Sequence, residues 1–325
     1  MATSTPFSVS CITSQARLLY KQNPKQPSHN TTLSLFGHKS SICNNPLRYN
    51  NGVFSPLVMK PKRAHVGASV KAQWNTRSIE VLDKQHIPVS LAKYVFDLSE
   101  KFIKEKGSFT IVLSGDSVKY LKMLVEPPYI NTIQWSKWHV FWADEKAVPK
   151  THLDSNYKFA YDRFISKVPI PMNVNTIDDA LSADIAADVY EIGIKIKVDS
   201  KVIASSPNTR LPKFDLMLLD MGPEGQLAGL FPGNPALTET RKWVTAVKNA
   251  PSPPPERITL TLPVINASSN IAMVVTGAGK ANAVVNALGE GQQGDEKMPI
   301  QLVSPEGEMK WFLDKGAGSL YLNRS

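Results

Sequence analysis

The chain has 325 residues, with 37 Lys and Arg against 28 Asp and Glu and a formal net charge of +9. The excess is confined to one end: residues 1–77 carry ten Lys or Arg and no acid, which leaves 27 basic and 28 acidic residues for the rest. A nucleic-acid surface is therefore not what the net charge describes, and no apolar run is long enough to span a membrane as a helix.

The first 72 residues are rich in Ser, Thr, Asn and Pro as well as basic. Basic, hydroxyl-rich and acid-free is the composition of an organellar transit peptide. The opening Met1-Ala-Thr-Ser4 resembles chloroplast leaders, so the expected location is the plastid stroma and residues 1–72 are expected to be a disordered transit peptide. Both cysteines, Cys11 and Cys43, fall in this leader. The remainder then has no disulfide, no thiol nucleophile and no Cys metal site.

Residues 78–325 alternate strand and helix signals. Ser90 to Lys106 reads as a helix capped by Ser90 and ended by Gly107. Phe109–Leu113 is a β-branched run and a strand, followed by a helix over about 117–125. Trp138–Trp142 is the next strand. Asp154 is expected to cap a helix over 155–166, and Ser182 to begin another that runs to about Ile196. Asp215–Leu219 is a short apolar strand. It breaks at Gly222, Pro223 and Gly225 and recovers at Leu227-Ala228, which reads as strand, tight turn, short helix. Pro-rich residues 250–256 are a surface connector. Arg257–Leu262 and Ile271–Thr276 are strands, with a helix over 280–288 after the second. This alternation predicts an α/β fold: a mainly parallel, Rossmann-like sheet flanked by helices, in a single domain.

In such sheets the ligand crevice lies beyond the carboxyl ends of the strands, where backbone N–H groups face it. Three turns qualify. Ser114-Gly115-Asp116-Ser117 follows the strand at 109–113 and is a weak phosphate-loop signal. Asp144-Glu145-Lys146 follows the strand at 138–142. The Gly222–Gly225 turn follows the strand at 215–219. Gly277-Ala-Gly-Lys280 is not a Walker loop, because the earlier Gly and the hydroxyl after the Lys are missing. No metal-binding spacing and no nucleophile elbow is present. Of the three histidines beyond the leader, His139 reads as a core residue, while His152 sits in the loop before Asp154.

Asp220-Met-Gly-Pro-Glu-Gly-Gln-Leu-Ala-Gly-Leu-Phe-Pro-Gly233 resembles the signature of the 6-phosphogluconolactonase family, Gly-x-Gly-x-Asp-Gly-His-x-Ala-Ser-Leu-Phe-Pro-Gly. Leu113-Ser-Gly-Asp-Ser117, Trp142-Ala-Asp-Glu-Lys146, Asp154-Ser-Asn-Tyr157, Arg257–Asn266 and Gly277–Lys280 match further family segments, and the likeness covers nearly all of Ile79 to Lys315. It implies hydrolysis of 6-phospho-D-glucono-1,5-lactone in the pentose phosphate pathway, a small phosphorylated sugar lactone as ligand, and no cofactor or metal. It implies Gln226, Glu224 and Asp144 as the catalytic positions. It assigns Ser114, Gly115, Lys146, Gly222, Gly225, Arg257, Asn266 and Lys280 to substrate and phosphate binding. The chain departs from the pattern in the pocket: Gln226 stands for the family's His, Glu224 for its Asp, Asp220 for its first Gly, Gly229 for its Ser, Lys146 for its Arg, and Asp116 for the second Gly of its phosphate loop. Glutamine orients water but accepts no proton at neutral pH. A lactonase with Glu224 or His152 as base, a non-catalytic paralogue binding a sugar phosphate or a protein, and a related sugar-phosphate enzyme such as a deaminase all stay open on the sequence. No protein partner is legible.

Overall fold

The structure is a computed structural model that describes residues 77–170, 173–289 and 297–323. The leader expected at 1–72, with Cys11 and Cys43, lies outside them. In chain order the described residues form β1 (Arg77–Leu82), α1 (Ile87–Lys106), β2 (Phe109–Leu113), a 3-10 segment at Gly115–Val125, α2 (Tyr129–Thr132), β3 (Trp138–Trp142), β4 (Asp144–Lys146) and α3 (Asn156–Arg163). There follow α4 (Ala183–Asp199), β5 (Ala204–Ser205), β6 (Pro212–Lys213), β7 (Leu216–Leu219), β8 (Val244–Val247), β9 (Arg257–Leu260), α5 (Leu262–Asn266), β10 (Asn270–Val275), α6 (Ala281–Ala287), β11 (Glu308–Asp314) and α7 (Ser319–Leu322).

Six strands make one sheet in the order β1-β11-β10-β7-β2-β3, and every pairing in it is parallel. Strands buried on both faces read as continuous apolar runs, and β2, β7 and β10 are buried at every position. Alternate residues serve opposite faces. Val112, Met217, Leu219, Ile271, Met273 and Trp311 pack with Ala186, Tyr190 and Ile194 of α4 and Val284 of α6. Ile111, Leu113, Leu216, Leu218, Val274 and Phe312 pack with Leu91, Val95 and Phe102 of α1 and Leu121 and Leu124 of the 3-10 segment. The mainly parallel α/β expectation holds. A second, antiparallel sheet, β4-β9-β8, lies beside the parallel one.

The element boundaries depart from expectation where local chemistry wins. α1 starts at Ile87, with Pro88 in its first turn; Ser90 instead donates to Glu80 Oε1 at 2.7 Å. The cap of α3 is Ser155, whose Oγ accepts from Lys158 N–H at 3.2 Å, not Asp154. The segment after β2 is a 3-10 coil from Gly115 rather than an α-helix from Ser117. The short helix expected near Leu227 is absent. Ala228 and Gly229 take φ of 47° and 71°, left-handed values that no α-helix continues through, and Leu227 bridges back to Leu230 instead. β9 ends at Leu260 because Pro263 opens α5.

Candidate functional site

The sheet order fixes where a crevice opens. From β2 the next strand along the chain, β3, lies on one side, while β7 lies on the other and leads on to β10. The order therefore reverses between β2 and β7, and the turns leaving these two strands diverge around a gap. Ser114 and Gly115 leave β2 there, and Asp220 leaves β7.

These turns are tied together by hydrogen bonds. Ser114 N–H donates to Leu218 O at 3.1 Å, across the strand pair. Ser114 Oγ donates to Asp144 Oδ1 at 2.8 Å, and Asn156 Nδ2 donates to Asp144 Oδ2 at 3.1 Å. Asp144 is thereby held at 6 % exposure as a paired carboxylate. Lys146 Nζ donates to Asn156 Oδ1, so Asn156 links the acid and the base of the same short strand. Asn156 belongs to the Asp154–Tyr157 match, which was the signal for it, but it was not singled out from sequence. Glu145 turns to the other side, accepting N–H from Lys146, Asn156 and Tyr157 at 2.8, 2.7 and 2.7 Å. Burial pushes its carboxyl up to about 7, and these backbone donors hold the rise back.

Asp220 is the second acid of the crevice. Its Oδ2 accepts Asp116 N–H at 3.1 Å. Burial pushes its carboxyl up to about 6; the positive Lys280 restrains that rise, and the negative Asp144 and Asp116 add to it. Lys280 follows β10 in the 3-10 turn 278–280. The Gly277 N–H that opens this turn is fixed by both oxygens of Asp314, at 2.9 and 3.0 Å. The charge sequence Lys280, Asp220, Asp144 thus spans the ends of β10, β7 and β3.

The Gly222–Gly229 turn forms the rim. Gly222 N–H donates to Gln226 O at 2.9 Å, and Gly225 N–H to Gly222 O at 3.1 Å. Gln226 Oε1 accepts Glu224 N–H at 3.2 Å, and a Cβ on Gly222 would stand 2.1 Å from Gln226 Nε2. The amide is folded flat onto its own turn. Gly229 seats the turn on the site: a Cβ there would come 3.1 Å from Asp144 Cβ. Thr259 Oγ1 donates to Ala228 O and pins the same segment to β9.

Not every expected residue converges. Arg257 pairs with Lys146 across β9 and β4, but its guanidinium donates to Pro254 O at 3.1 Å and to Ser252 O and Oγ at 2.7 and 2.8 Å, over the Phe231 ring. Its Nε and Nη2 build the Pro-rich connector, while its charge is still felt by Asp144. Asn266 is displaced further. It precedes β10, at the amino edge of the sheet, where its side chain donates to Leu302 O at 3.1 Å and accepts Ser304 N–H at 2.8 Å. Glu224 is exposed, and it lines a surface depression of about 820 Å³ with Phe231, Asn234 and Lys248. His152 is exposed and pairs locally with Asp154, and His139 lies within β3. Among the described residues no group of three or more His, Cys, Asp or Glu is arranged to hold a metal, and no helix is long and apolar enough to cross a membrane.

The family model of glucosamine-6-phosphate isomerases and 6-phosphogluconolactonases matches residues 82–311. A rice protein, "Probable 6-phosphogluconolactonase 4, chloroplastic", is 54 % identical over 244 residues, covering 74 % of this chain and 75 % of its own. The Arabidopsis thaliana "6-phosphogluconolactonase 3, chloroplastic" is 51 % identical over 246 residues, 75 % of each. The crystal structure of the Thermotoga maritima 6-phosphogluconolactonase overlays with a TM-score of 0.62 at 25 % identity, covering 74 % of this chain and all of that one.

Proposed function

The chain belongs to the family of glucosamine-6-phosphate isomerases and 6-phosphogluconolactonases, and on that premise we propose how its crevice works. The reaction is hydrolysis of 6-phospho-D-glucono-1,5-lactone to 6-phosphogluconate in the oxidative pentose phosphate pathway, and the protein is plastidial. Residues 1–72 act as its transit peptide. N-terminal sequencing of the protein recovered from chloroplasts tests this, and a start near residue 72 is the expected result.

In the reaction, water adds to the ring carbonyl, the ring C–O bond breaks, and the ring oxygen leaves as a hydroxyl after taking a proton. The crevice at the strand ends suits the two halves of this substrate differently. Lys280 and the backbone amides after β2 suit a phosphate, as cations and oriented N–H groups do. The Gly222–Gly229 turn, seated on Asp144 through Gly229, suits the lactone ring.

The single observation that carries the mechanism is the state of Gln226. Its Oε1 already takes Glu224 N–H, which leaves the Nε2 donors for a carbonyl oxygen or a water. It supplies orientation and oxyanion stabilisation, but no proton acceptor. In this reading Glu224 is not the base: it is exposed, and its backbone N–H rather than its carboxylate bonds Gln226. The chain is therefore a slow lactonase whose turn donates hydrogen bonds without a base. General-base assistance is worth about 10²–10⁴-fold, so Gln226→His is expected to raise kcat by about that factor. Lactone hydrolysis above its spontaneous rate, followed for wild type, Gln226→His and Glu224→Gln, tests this. Loss of activity in Glu224→Gln would move the base to Glu224 and overturn the mechanism.

Gln226 also supports a second reading, a sugar-phosphate-binding module without turnover. It would be favoured if wild type is silent but binds 6-phosphogluconate and Gln226→His restores hydrolysis.

A further inference from the structure

The amide-bearing turn after β2 is already occupied by an anion that belongs to the chain. Asp116 N–H, at the start of the 3-10 segment, donates to Asp220 Oδ2 at 3.1 Å. The space for this carboxylate exists because residue 115 is glycine. Gly115 has φ of 51°, and a Cβ there would stand 2.6 Å from Asp220 Oδ1. The positive charge of Lys280 acts on the same carboxylate, and so does that of Lys119, which is itself paired with Asp116 at 2.6 Å. A backbone N–H at a strand end, a glycine that opens the approach and a lysine beside them are the donors a phosphate group uses. Here one carboxylate takes the Asp116 N–H and lies in the field of Lys280, with Asp144 and Asp116 as further negative neighbours.

We propose that Asp220 is an internal competitor for the phosphate of the substrate, and so the residue that sets this chain's preference between phosphorylated and unphosphorylated sugar ligands. The proposal rests on the lactonase reading for the identity of the ligand. A phosphate entering beside Lys280 must take the Asp116 N–H from Asp220 and lie against a like charge. The carboxylate weakens the phosphorylated ligand selectively and leaves a ligand without the phosphate unaffected. Asp220 is a specificity residue in this scheme and takes no part in proton transfer.

The test is calorimetric binding of 6-phosphogluconate and of gluconate at pH 7.5 to the full chain and to Asp220→Asn. Asparagine keeps an oxygen for Asp116 N–H while removing the charge. The expected result is 6-phosphogluconate binding at least tenfold tighter in the variant, with gluconate unchanged. Equal change for both ligands, no change, or weaker 6-phosphogluconate binding would overturn the proposal. Asp220→Ser, carried in parallel with thermal melts on every variant, replaces Asn if that variant does not fold. Lactone hydrolysis is read on the same samples. A selective gain in binding without any turnover supports the competitor and removes the lactonase reading. Turnover with no selective gain does the reverse.

Discussion

The Gln226 amide lies against Gly222 so closely that a methyl group on residue 222 would meet Gln226 Nε2 at 2.1 Å. The glycine is thus a seat for the side chain that stands at the centre of the turn. Since that amide is the free end of a flexible side chain, Gly222→Ala is expected to fold and to expel it. Losing one positioned donor typically costs about 10²–10³-fold in turnover, so kcat should drop by about tenfold or more while the melting temperature stays within a few degrees. Steady-state kinetics beside a thermal melt would show it, and an unchanged kcat would remove Gln226 from the mechanism.

Asp144 is expected to matter for stability as well as activity. Ser114 Oγ and Asn156 Nδ2 both spend a hydrogen bond on it. Asp144→Ala orphans the buried Ser114 hydroxyl, at about 1–3 kcal/mol for an unsatisfied donor, and removes one of the two hydrogen bonds of Asn156 Nδ2, which keeps Asp144 O at 2.8 Å. Urea unfolding should show a loss of that order, together with loss of lactone hydrolysis. Stability equal to wild type would mean that the crevice rearranges freely, contrary to the bonded network described.

Acid should destabilise the protein through His139. Burial, first, and then the positive Lys197 and Lys106 hold its imidazole down to about 4, and its Nδ1 has no hydrogen-bond partner. The unfolded chain takes up a proton near pH 6.5 that the folded one refuses until about pH 4. Stability from this group is therefore complete above about 6.5 and falls as the pH drops towards 4, by less than about 3.4 kcal/mol because solvent screens the partly exposed ring. Urea midpoints between pH 4 and 8 should slope less steeply in His139→Leu than in wild type. Parallel slopes would show that other groups govern the acid limit.

Gly307 should be intolerant of any side chain. A Cβ there would stand 1.8 Å from Ser269 O, and that carbonyl accepts Glu308 N–H at 3.0 Å as β10 and β11 begin. Backbone cannot yield as a side chain can, and overpacking costs about 1–3 kcal/mol or more. Gly307→Ala is expected to reach the top of that range by urea unfolding. A loss under about 0.5 kcal/mol would contradict the close approach.

The strands of the parallel sheet were legible because burial on both faces writes itself as unbroken apolar runs, such as Leu216–Leu219. β4 was not, since Asp144-Glu145-Lys146 is a strand only through its pairing with β9, and no apolar pattern announces it. The turn around Gln226 was legible as a turn, yet Leu227-Ala228 read as a helix because apolar spacing says nothing of left-handed backbone. Ser114, Asp144 and Lys280 fall at strand ends, where the fold class alone places ligand groups. Arg257 and Asn266 carry the right chemistry for a site, but their partners come from residues 252–254 and 302–304. Neither sequence spacing nor residue type reveals that a polar side chain is already engaged. Asp220 was visible as a departure from the pattern, but its grip on the Asp116 amide, more than a hundred residues earlier in the chain, appears only in three dimensions.

The pairing of Arg77 with Met309 across β1 and β11 also says something about how the domain folds. Among the described residues β1 has β11 as its only neighbour in the sheet, and β11 is the last strand in chain order. Contacts between such distant segments are slow to form, because a long loop must close before they yield any stabilisation. Among the described strands the first therefore has no sheet partner until the last is in place. A chain stalled or cut before residue 308 is expected to be protease-sensitive from its amino end inward, whatever helices have formed in between, and limited proteolysis of a 1–307 truncation would read this directly.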